Sequence, residues 1–129
     1  MARILALNPP YNGMSTIVNV LGRVGPGEQN NPDDVRVVQR LLQLASRGGG
    51  PAISLCVPQV NGRLDAVTGF WIIRTQAFFR GQTVDGVVSP ARGAHYAPGG
   101  GIWTIVLFNE FAKRYSAPEY ATFLAQSAT

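Results

Sequence analysis

One short phrase occurs twice in this chain, and each copy requires a tight turn. The first copy, VNGRLD, spans 60–65, and the second, VDGVVS, spans 84–89. Their Asn-Gly and Asp-Gly pairs are turn dipeptides, because these residue types tolerate positive φ. In the first copy Asp65 is also a good helix N-cap, since its carboxylate can accept a hydrogen bond from the first helical turn. The chain is therefore expected to consist of turn-then-helix units.

Four segments carry helical signals. The first begins after Asn31, a good N-cap, with Pro32 at the first helical position and two aspartates opposing the positive end of the helix dipole. Apolar residues then recur along one face at helical spacing. A capping box, Ser116 to Glu119, starts a short last helix. The predicted helices span about 32–46, 66–80, 102–115 and 117–126.

The other segments are expected to be non-helical. Residues 1–30 contain β-branched runs separated by Pro-Pro-Tyr-Asn-Gly, which predict short strands or an extended arm. Residues 51–59 are apolar but bracketed by prolines, which favours a packed loop or an edge strand. The predicted fold is mostly α, a compact bundle of three main helices plus a short C-terminal helix, with an extended or short β N-terminal arm. We expect the arm over residues 1–23 and the helical domain over residues 24–129.

The apolar faces of the helices predict a core. The side chains expected to be largely buried are Leu41, Leu42, Phe70, Trp71, Ile73, Val106, Leu107 and Phe111. Trp71 and Trp103 lie at helical spacing within apolar stripes, which favours packing over a sugar-stacking platform. Cys56, between two aliphatic residues, is predicted to be a buried small hydrophobe.

The composition limits the chemistry. A single cysteine, Cys56, rules out an internal disulfide, and with a single histidine, His95, it falls short of the ligands that common zinc sites need. A nucleophile–base pair of these two residues is conceivable, but no known catalytic motif accompanies it. We therefore expect no enzyme activity, no metal and no cofactor.

The net charge of +4 permits an anionic partner such as nucleic acid, an acidic wall polymer or a lipid surface. The arginines are spread along the chain without a focused basic patch, so no nucleic-acid partner is expected. No apolar run approaches the roughly 18 residues of a membrane span. The start, MARILALNPPYNG, lacks the features of a signal peptide. The protein is expected to be cytoplasmic as synthesised, so delivery to the cell envelope would use a leader-independent route.

Taken together, these segments resemble the peptidoglycan-binding domain-like family, small three-helix modules attached to many cell-wall enzymes. The family phrase is roughly V-D-G-x-F-G-x-x-T-x-x-A-V-x-x-F-Q. It is met identically by Val60, Gly62, Thr68 and Gln76, and conservatively by Asn61, Leu64 and Ile72. DVRVVQRLLQ (34–43) is similar to the family's first helix, and VDGVVSP followed by PGGGIW (98–103) resembles the entry into its last helix. The likeness covers about residues 24–112.

The chain departs from the family pattern at several positions. Asp65 replaces a glycine, Trp71 a small alanine, and Thr75 the phenylalanine before Gln76. Residues 48–59 replace a short Gly-Tyr turn, and about ten residues are inserted after the second turn. We expect the fold to tolerate these changes, whereas fold resemblance alone does not establish an open ligand groove.

The resemblance implies a non-catalytic module that binds peptidoglycan or a related wall polymer. An outward arginine in the first turn can pair with a carboxylate bidentately, and the first helical turn favours an anionic or carbonyl ligand. A Gly/Pro-rich loop adds two further candidates. The predicted ligand-binding residues are Asn61, Arg63, Asp65, Thr68, His95 and Tyr96. A structural explanation stays open for each, because Asx-Gly turns need these residue types for their backbone geometry alone.

The alternative is a protein–protein interaction or assembly module, an adaptor or a component of a phage or secretion particle, on the same scaffold. Residues 1–30 and 47–59 have no counterpart in the minimal wall-binding module, and their apolar side chains are not expected to be covered by three helices. TIVNVL (16–21) is rich in β-branched residues and suited to pairing as an edge strand. This hypothesis predicts self-association or docking onto a protein partner through the N-terminal arm.

Overall fold

The computed structural model describes residues 2–47, 57–79 and 82–129. A two-stranded antiparallel sheet precedes four helices. The elements are β1 (Ile4–Tyr11), β2 (Met14–Val18), α1 (Pro32–Ser46), α2 (Ala66–Phe78), α3 (Thr104–Tyr115) and α4 (Ala117–Ser127). The mostly α fold with a small β segment at the N-terminus is confirmed. The predicted division into three main helices and one short C-terminal helix is not reproduced, because α4 has 11 residues and is nearly as long as α3, which has 12.

The first helix forms where the capping signals place it. The Asn31 side chain accepts a hydrogen bond from the N–H of Asp33, and proline occupies the first turn. The apolar face of α1 packs mainly against α3, and the side chains of Leu41 and Leu44 are fully buried. The fourth helix and β2 pack against α3 from other sides. The pair α1–α3 is therefore the centre of the fold.

The N-terminal arm is a β-hairpin that belongs to the same core. In its register Leu5 lies opposite Ile17, and Asn12 and Gly13 form the turn with φ values of 47° and 77°. The buried Asn109 of α3 clamps β2, because it accepts from the N–H of Val18 at 2.9 Å and donates to its carbonyl oxygen at 2.8 Å. The hairpin is thus held by buried hydrogen bonds as well as by packing.

An ion pair also ties the start of the chain to α1. Arg3 donates to the carboxylate of Asp34, which in turn accepts the backbone N–H groups of Leu21 and Gly22. Asp34 is almost fully buried, and these three donors provide the hydrogen bonds that a buried carboxylate needs. The segment between β2 and α1 is therefore fixed at its centre.

The apolar side chains of the arm are mostly covered, contrary to the expectation that three helices would leave them exposed. Leu7, Ile17, Val18 and Val20 are buried, and Leu5 and Tyr11 pack against the core with partial exposure. Ile4 and Val57 stay exposed at 40% and 43%. One face of the hairpin packs against α3 and α4. Most apolar side chains of the arm are therefore not available to dock a partner. The predictions for residues 48–56, including Cys56, lie outside the described residues.

Two members of the predicted core are wrong. Phe70 and Ile73 of α2 are 51% and 46% exposed, whereas the other six predicted side chains are buried. The reason is the orientation of α2, which turns Phe70 and Ile73 towards solvent. Its inward face carries Thr68, Thr75 and Gln76, polar residues whose hydrogen bonds fix the rotation and turn apolar side chains outwards. None of the described helices has the length and apolar character needed to cross a membrane.

Candidate functional site

A buried glutamine of α1 organises the turn formed by the first copy of the repeated phrase, residues 60–65. This turn is called the first turn below, and the turn at residues 84–89 is called the second turn. The Gln39 side-chain oxygen accepts the N–H groups of Asn61 and Gly62, each at 3.0 Å. Its amide nitrogen lies 3.0 Å from three acceptors: the Asn61 side-chain oxygen, the Arg63 carbonyl and the Thr68 hydroxyl. Gly62 adopts a φ of 77°, which glycine tolerates without strain. The turn is therefore shaped around the side chain of Gln39.

The second turn is built in the same way around a glutamine of α2. The Gln76 oxygen accepts the N–H of Gly86 at 2.9 Å. Its amide nitrogen lies within hydrogen-bond distance of three acceptors: the Asp85 carboxylate at 3.1 Å, the Val87 carbonyl at 3.0 Å and the Thr104 hydroxyl at 3.1 Å. Each copy of the repeated phrase is thus a hydrogen-bonding socket for a buried glutamine of the preceding helix, which explains why the phrase occurs twice.

Three of the predicted binding residues have structural roles in the first turn. Thr68 is fully buried, and its N–H donates to the Asp65 carboxylate at 2.8 Å, so Asp65 is the N-cap of α2. Asn61 accepts from Gln39 and from the N–H of Arg63 on the same side-chain oxygen. The Arg63 side chain is exposed and forms no ion pair within the described chain. Only Arg63 of this group presents a side chain suited to a ligand.

The cap of α2 predicts a measurable acid sensitivity. Hydrogen bonds from Thr68, first its backbone N–H and then its hydroxyl, hold the pKa of Asp65 below its usual 3.8. A depressed pKa means that the stabilisation by Asp65 is complete above pH 3.8 and is lost as the pH falls through the lower folded-state value. Thermal unfolding followed by circular dichroism between about pH 2 and pH 6 should show this loss.

Asp65→Asn is the matched control for the acid sensitivity, because asparagine caps helices about as well as aspartate but does not titrate. At neutral pH the Asp65→Asn protein should melt close to wild type. It should also lack the part of the acid-induced loss that Asp65 contributes. Identical pH profiles for the two proteins would contradict a role for this carboxylate in the cap.

Of the other two predicted residues, His95 lies against β1 and Tyr96 lies beside His95. His95 is buried at 7% exposure, with its Nδ1 atom 3.4 Å from the Pro9 carbonyl oxygen. Its ring centroid is 5.1 Å from that of Tyr11 and 4.0 Å from that of Tyr96. Tyr96 itself is 57% exposed. No described hydrogen bond, ion pair or ring contact joins this pair to the first turn, so the predicted residues form two groups rather than one site.

An open cleft of about 250 Å³ lies beside the second turn. Its walls are the turn itself with Asp85 and Ser89, the Gly-rich loop 97–101, and the start of α3 with Trp103 and Thr104. The volume is below the range of about 300–1,000 Å³ that is usual for ligand-binding clefts, so it has room for a group no larger than one sugar ring or the end of a short peptide. Because Gln82 and Thr83 also line it, the cleft is predominantly polar.

A comparison of the two turns singles out Asp85. Asn61 and Asp85 each use one side-chain oxygen to accept two hydrogen bonds, one from the buried glutamine and one from a backbone N–H two residues ahead. An amide is therefore sufficient for the turn. The second carboxylate oxygen of Asp85 forms no hydrogen bond within the described chain, and the residue is exposed at the cleft. That oxygen is an acceptor beyond what the turn needs.

Donors lie on the opposite wall of the cleft. The Thr104 hydroxyl oxygen is occupied by Gln76, which leaves its O–H to donate. The Trp103 indole N–H is buried without a hydrogen-bond partner within the described chain, and no side chain caps the first turn of α3. The sequence indicates this wall by a difference between the two copies of the phrase. The first copy leads directly into a helix, whereas the second is followed by a long loop.

Comparisons with models of known families, with curated proteins and with solved structures find no match for this chain. Among the residues that the structure describes, no group of three or more His, Cys, Asp or Glu side chains is arranged to hold a metal ion. The geometry on its own therefore defines the candidate site: a polar cleft with one exposed carboxylate, held open by a glutamine-centred turn.

Proposed function

We propose that this protein is a non-catalytic module that binds peptidoglycan or a related wall polymer in the cleft beside the second turn. The observation that carries the proposal is the unshared carboxylate oxygen of Asp85 at a polar cleft. Hydroxyl and amide groups of sugars and stem peptides are donors that suit such an acceptor. The resemblance of the two turn phrases to a wall-binding family supports the same ligand class.

The lining of the cleft favours binding over hydrolysis. Glycoside hydrolysis in most families uses two carboxyl groups that flank the scissile bond. Asp85 is the single carboxylate among the described residues that line the cleft. The cleft therefore offers one acceptor for recognition without the paired acid and base of a hydrolase.

Two residues from the predicted binding set remain candidate contacts in this proposal. Arg63 is exposed at the first turn and can pair with a ligand carboxylate. Tyr96 is exposed beside the Gly-rich loop. Asn61, Asp65, Thr68 and His95 instead support the fold around these positions.

Asp85→Asn is the direct test of the cleft. Asparagine keeps the oxygen that the turn uses, as Asn61 does in the first turn, so the variant should fold and melt like wild type. It should sediment with purified peptidoglycan sacculi about tenfold more weakly, because a hydrogen bond to a charged acceptor is lost. Measurements at low and high salt separate this effect from non-specific attraction of a protein with net charge +4.

The reciprocal substitution, Asn61→Asp, is the matched control, because it adds a carboxylate oxygen at the first turn without changing the cleft. This variant should retain wild-type sedimentation with sacculi. Arg63→Ala should weaken sedimentation while leaving the fold intact if the ligand extends to the first turn. Equal retention of wild type and Asp85→Asn on sacculi would overturn the assignment of the cleft.

A further inference from the structure

A second hollow lies next to the cleft. Its volume is about 280 Å³, and it is lined by Arg23, Ser89, Pro90, Arg92, Pro98 and Trp103. Three of these residues, Ser89, Pro98 and Trp103, also line the cleft, so the two hollows are neighbours. The second hollow has two arginines and no acidic residue in its described lining, whereas the cleft contains the Asp85 carboxylate. The second hollow is called the basic pocket below.

Backbone pairing places Arg23 beside Ser89. Val24 and Val88 exchange two backbone hydrogen bonds, at 3.0 Å and 2.8 Å, and both residues are fully buried. Because this pairing is antiparallel, the residue before Val24 lies opposite the residue after Val88. The Ser89 hydroxyl forms no hydrogen bond within the described residues. It is therefore left to donate to a ligand on the wall that the basic pocket shares with the cleft.

Arg92 gives the basic pocket a cation without a partner in the described part of the chain. Its side chain is exposed and forms no ion pair or hydrogen bond with any described residue. All seven acidic residues of the chain lie within the described ranges, and none of them pairs with Arg92. The backbone just before Arg92 is fixed, because the buried Asn19 side chain accepts from the N–H of Ala91 at 3.0 Å and donates to its carbonyl oxygen at 3.1 Å.

The charges around the basic pocket favour a carboxylate as its ligand. The Arg23 guanidinium lies 3.8 Å from the Glu28 carboxylate, which is too far for a hydrogen bond, so this pair leaves the guanidinium N–H groups available. With Glu28 included, the two arginines leave a net charge of +1. That charge matches one carboxylate better than a phosphate monoester with nearly two negative charges. A planar guanidinium also binds a carboxylate through two parallel hydrogen bonds.

We propose that the basic pocket binds the carboxylate at the end of a wall peptide whose donor groups face Asp85 in the cleft. The opposite charges of the two hollows set the direction of the ligand, with its donors at Asp85 and its carboxylate at Arg92. This inference rests on the proposed wall-binding function and narrows the ligand to the peptide part of the polymer. It assigns a binding role to Arg23, Ser89 and Arg92, which lie outside the predicted set of ligand-binding residues.

The direct test compares N-acetyl-alanyl-alanine, which has a free carboxylate, with the same dipeptide carrying a C-terminal amide. Each is titrated into the full ¹⁵N-labelled chain, and NMR follows the backbone and indole N–H signals. The carboxylate dipeptide should shift the signals of Arg92 and of the Trp103 indole at a concentration at least about tenfold below that needed for the amide. The Trp71 indole, which is buried in the core, is the internal reference and should not shift. Arg92→Gln should abolish the difference between the two dipeptides.

Sedimentation with sacculi tests the same pairing on the polymer. It compares native sacculi with sacculi whose carboxyl groups have been converted to amides. Wild type should bind amidated sacculi about tenfold more weakly, and Arg92→Gln should show the same loss on native sacculi. On amidated sacculi the two proteins should bind equally, because the pairing of Arg92 with a carboxylate is then already absent.

Arg114→Gln is the matched control for Arg92→Gln. It removes one positive charge at the opposite end of α3 from Trp103, where the Arg114 side chain is 53% exposed. This variant should bind native sacculi like wild type, which separates the pairing at Arg92 from the general attraction of a protein with net charge +4. Circular dichroism verifies the folding of both variants.

Four results would contradict the inference. The first is that the two dipeptides shift the Arg92 and Trp103 signals equally or not at all, and the second is that Arg92→Gln keeps the difference between them. The third is that inorganic phosphate shifts these signals at a lower concentration than the carboxylate dipeptide, which would make the basic pocket a phosphate site. The fourth is that wild type binds native and amidated sacculi equally, which leaves the wall-binding proposal in place. Wild type that binds neither kind of sacculus would instead overturn the wall-binding proposal, and the wall ligand of the basic pocket with it.

Discussion

Gln39→Leu is expected to destabilise the fold by about 3 kcal/mol or more, because leucine fills the space of glutamine but leaves several buried polar groups unpaired. The side chain of Gln39 is fully buried and serves two backbone N–H groups, a carbonyl and a hydroxyl. For a chain of this size the melting temperature should fall by about 10 °C or more. Thermal unfolding followed by circular dichroism measures the change.

Gln126→Leu is the matched control for this prediction, since Gln126 is exposed on α4 and its replacement should change stability by at most about 0.5 kcal/mol. Gln39→Glu is a second comparison. It preserves shape and one acceptor but replaces the donating amide, so it should also destabilise the protein. If Gln39→Leu had the same melting temperature as wild type, the buried glutamine would not be the centre of the first turn.

Phe108→Ala is expected to cost about 3–5 kcal/mol, because it removes a buried aromatic ring and leaves a cavity. Phe108 is 1% exposed in α3 and belongs to the central cluster. Phe70→Ala makes the same chemical change at a side chain that is 51% exposed. It should cost less than about 1 kcal/mol. Denaturant unfolding of the two variants gives the two free energies directly.

The pair of phenylalanine variants decides between the sequence pattern and the structure. The apolar character of α2 predicts Phe70 to be in the core, whereas the structure places it on the outer face. A loss at Phe70 as large as that at Phe108 would mean that the outer face is covered in the free protein. A small loss at Phe70 leaves that face available for a partner.

The elements whose signals are local were predictable from the amino-acid sequence. Asn31 and Pro32 define the start of α1, and Asp65 caps α2, because a cap depends only on residues within one helical turn. The two Asx-Gly turns were predictable for the same reason, since a positive φ at glycine is a property of a few consecutive residues. These local rules explain the starts of α1 and α2. The predicted capping box of α4 is wrong, because the Ser116 hydroxyl donates to the Leu44 carbonyl oxygen and makes no cap hydrogen bond.

The side of α2 that faces inwards depends on contacts between residues far apart in the sequence. Its apolar residues occur all around the helix, so periodicity could not choose a buried face. The choice was made by Gln76, which reaches across to Asp85, Val87 and Thr104. Burying an amide is favourable only when its hydrogen bonds are made, and these partners are brought together only in the folded chain. The same long-range hydrogen bonds turn Phe70 outwards and hold the second turn beside the cleft.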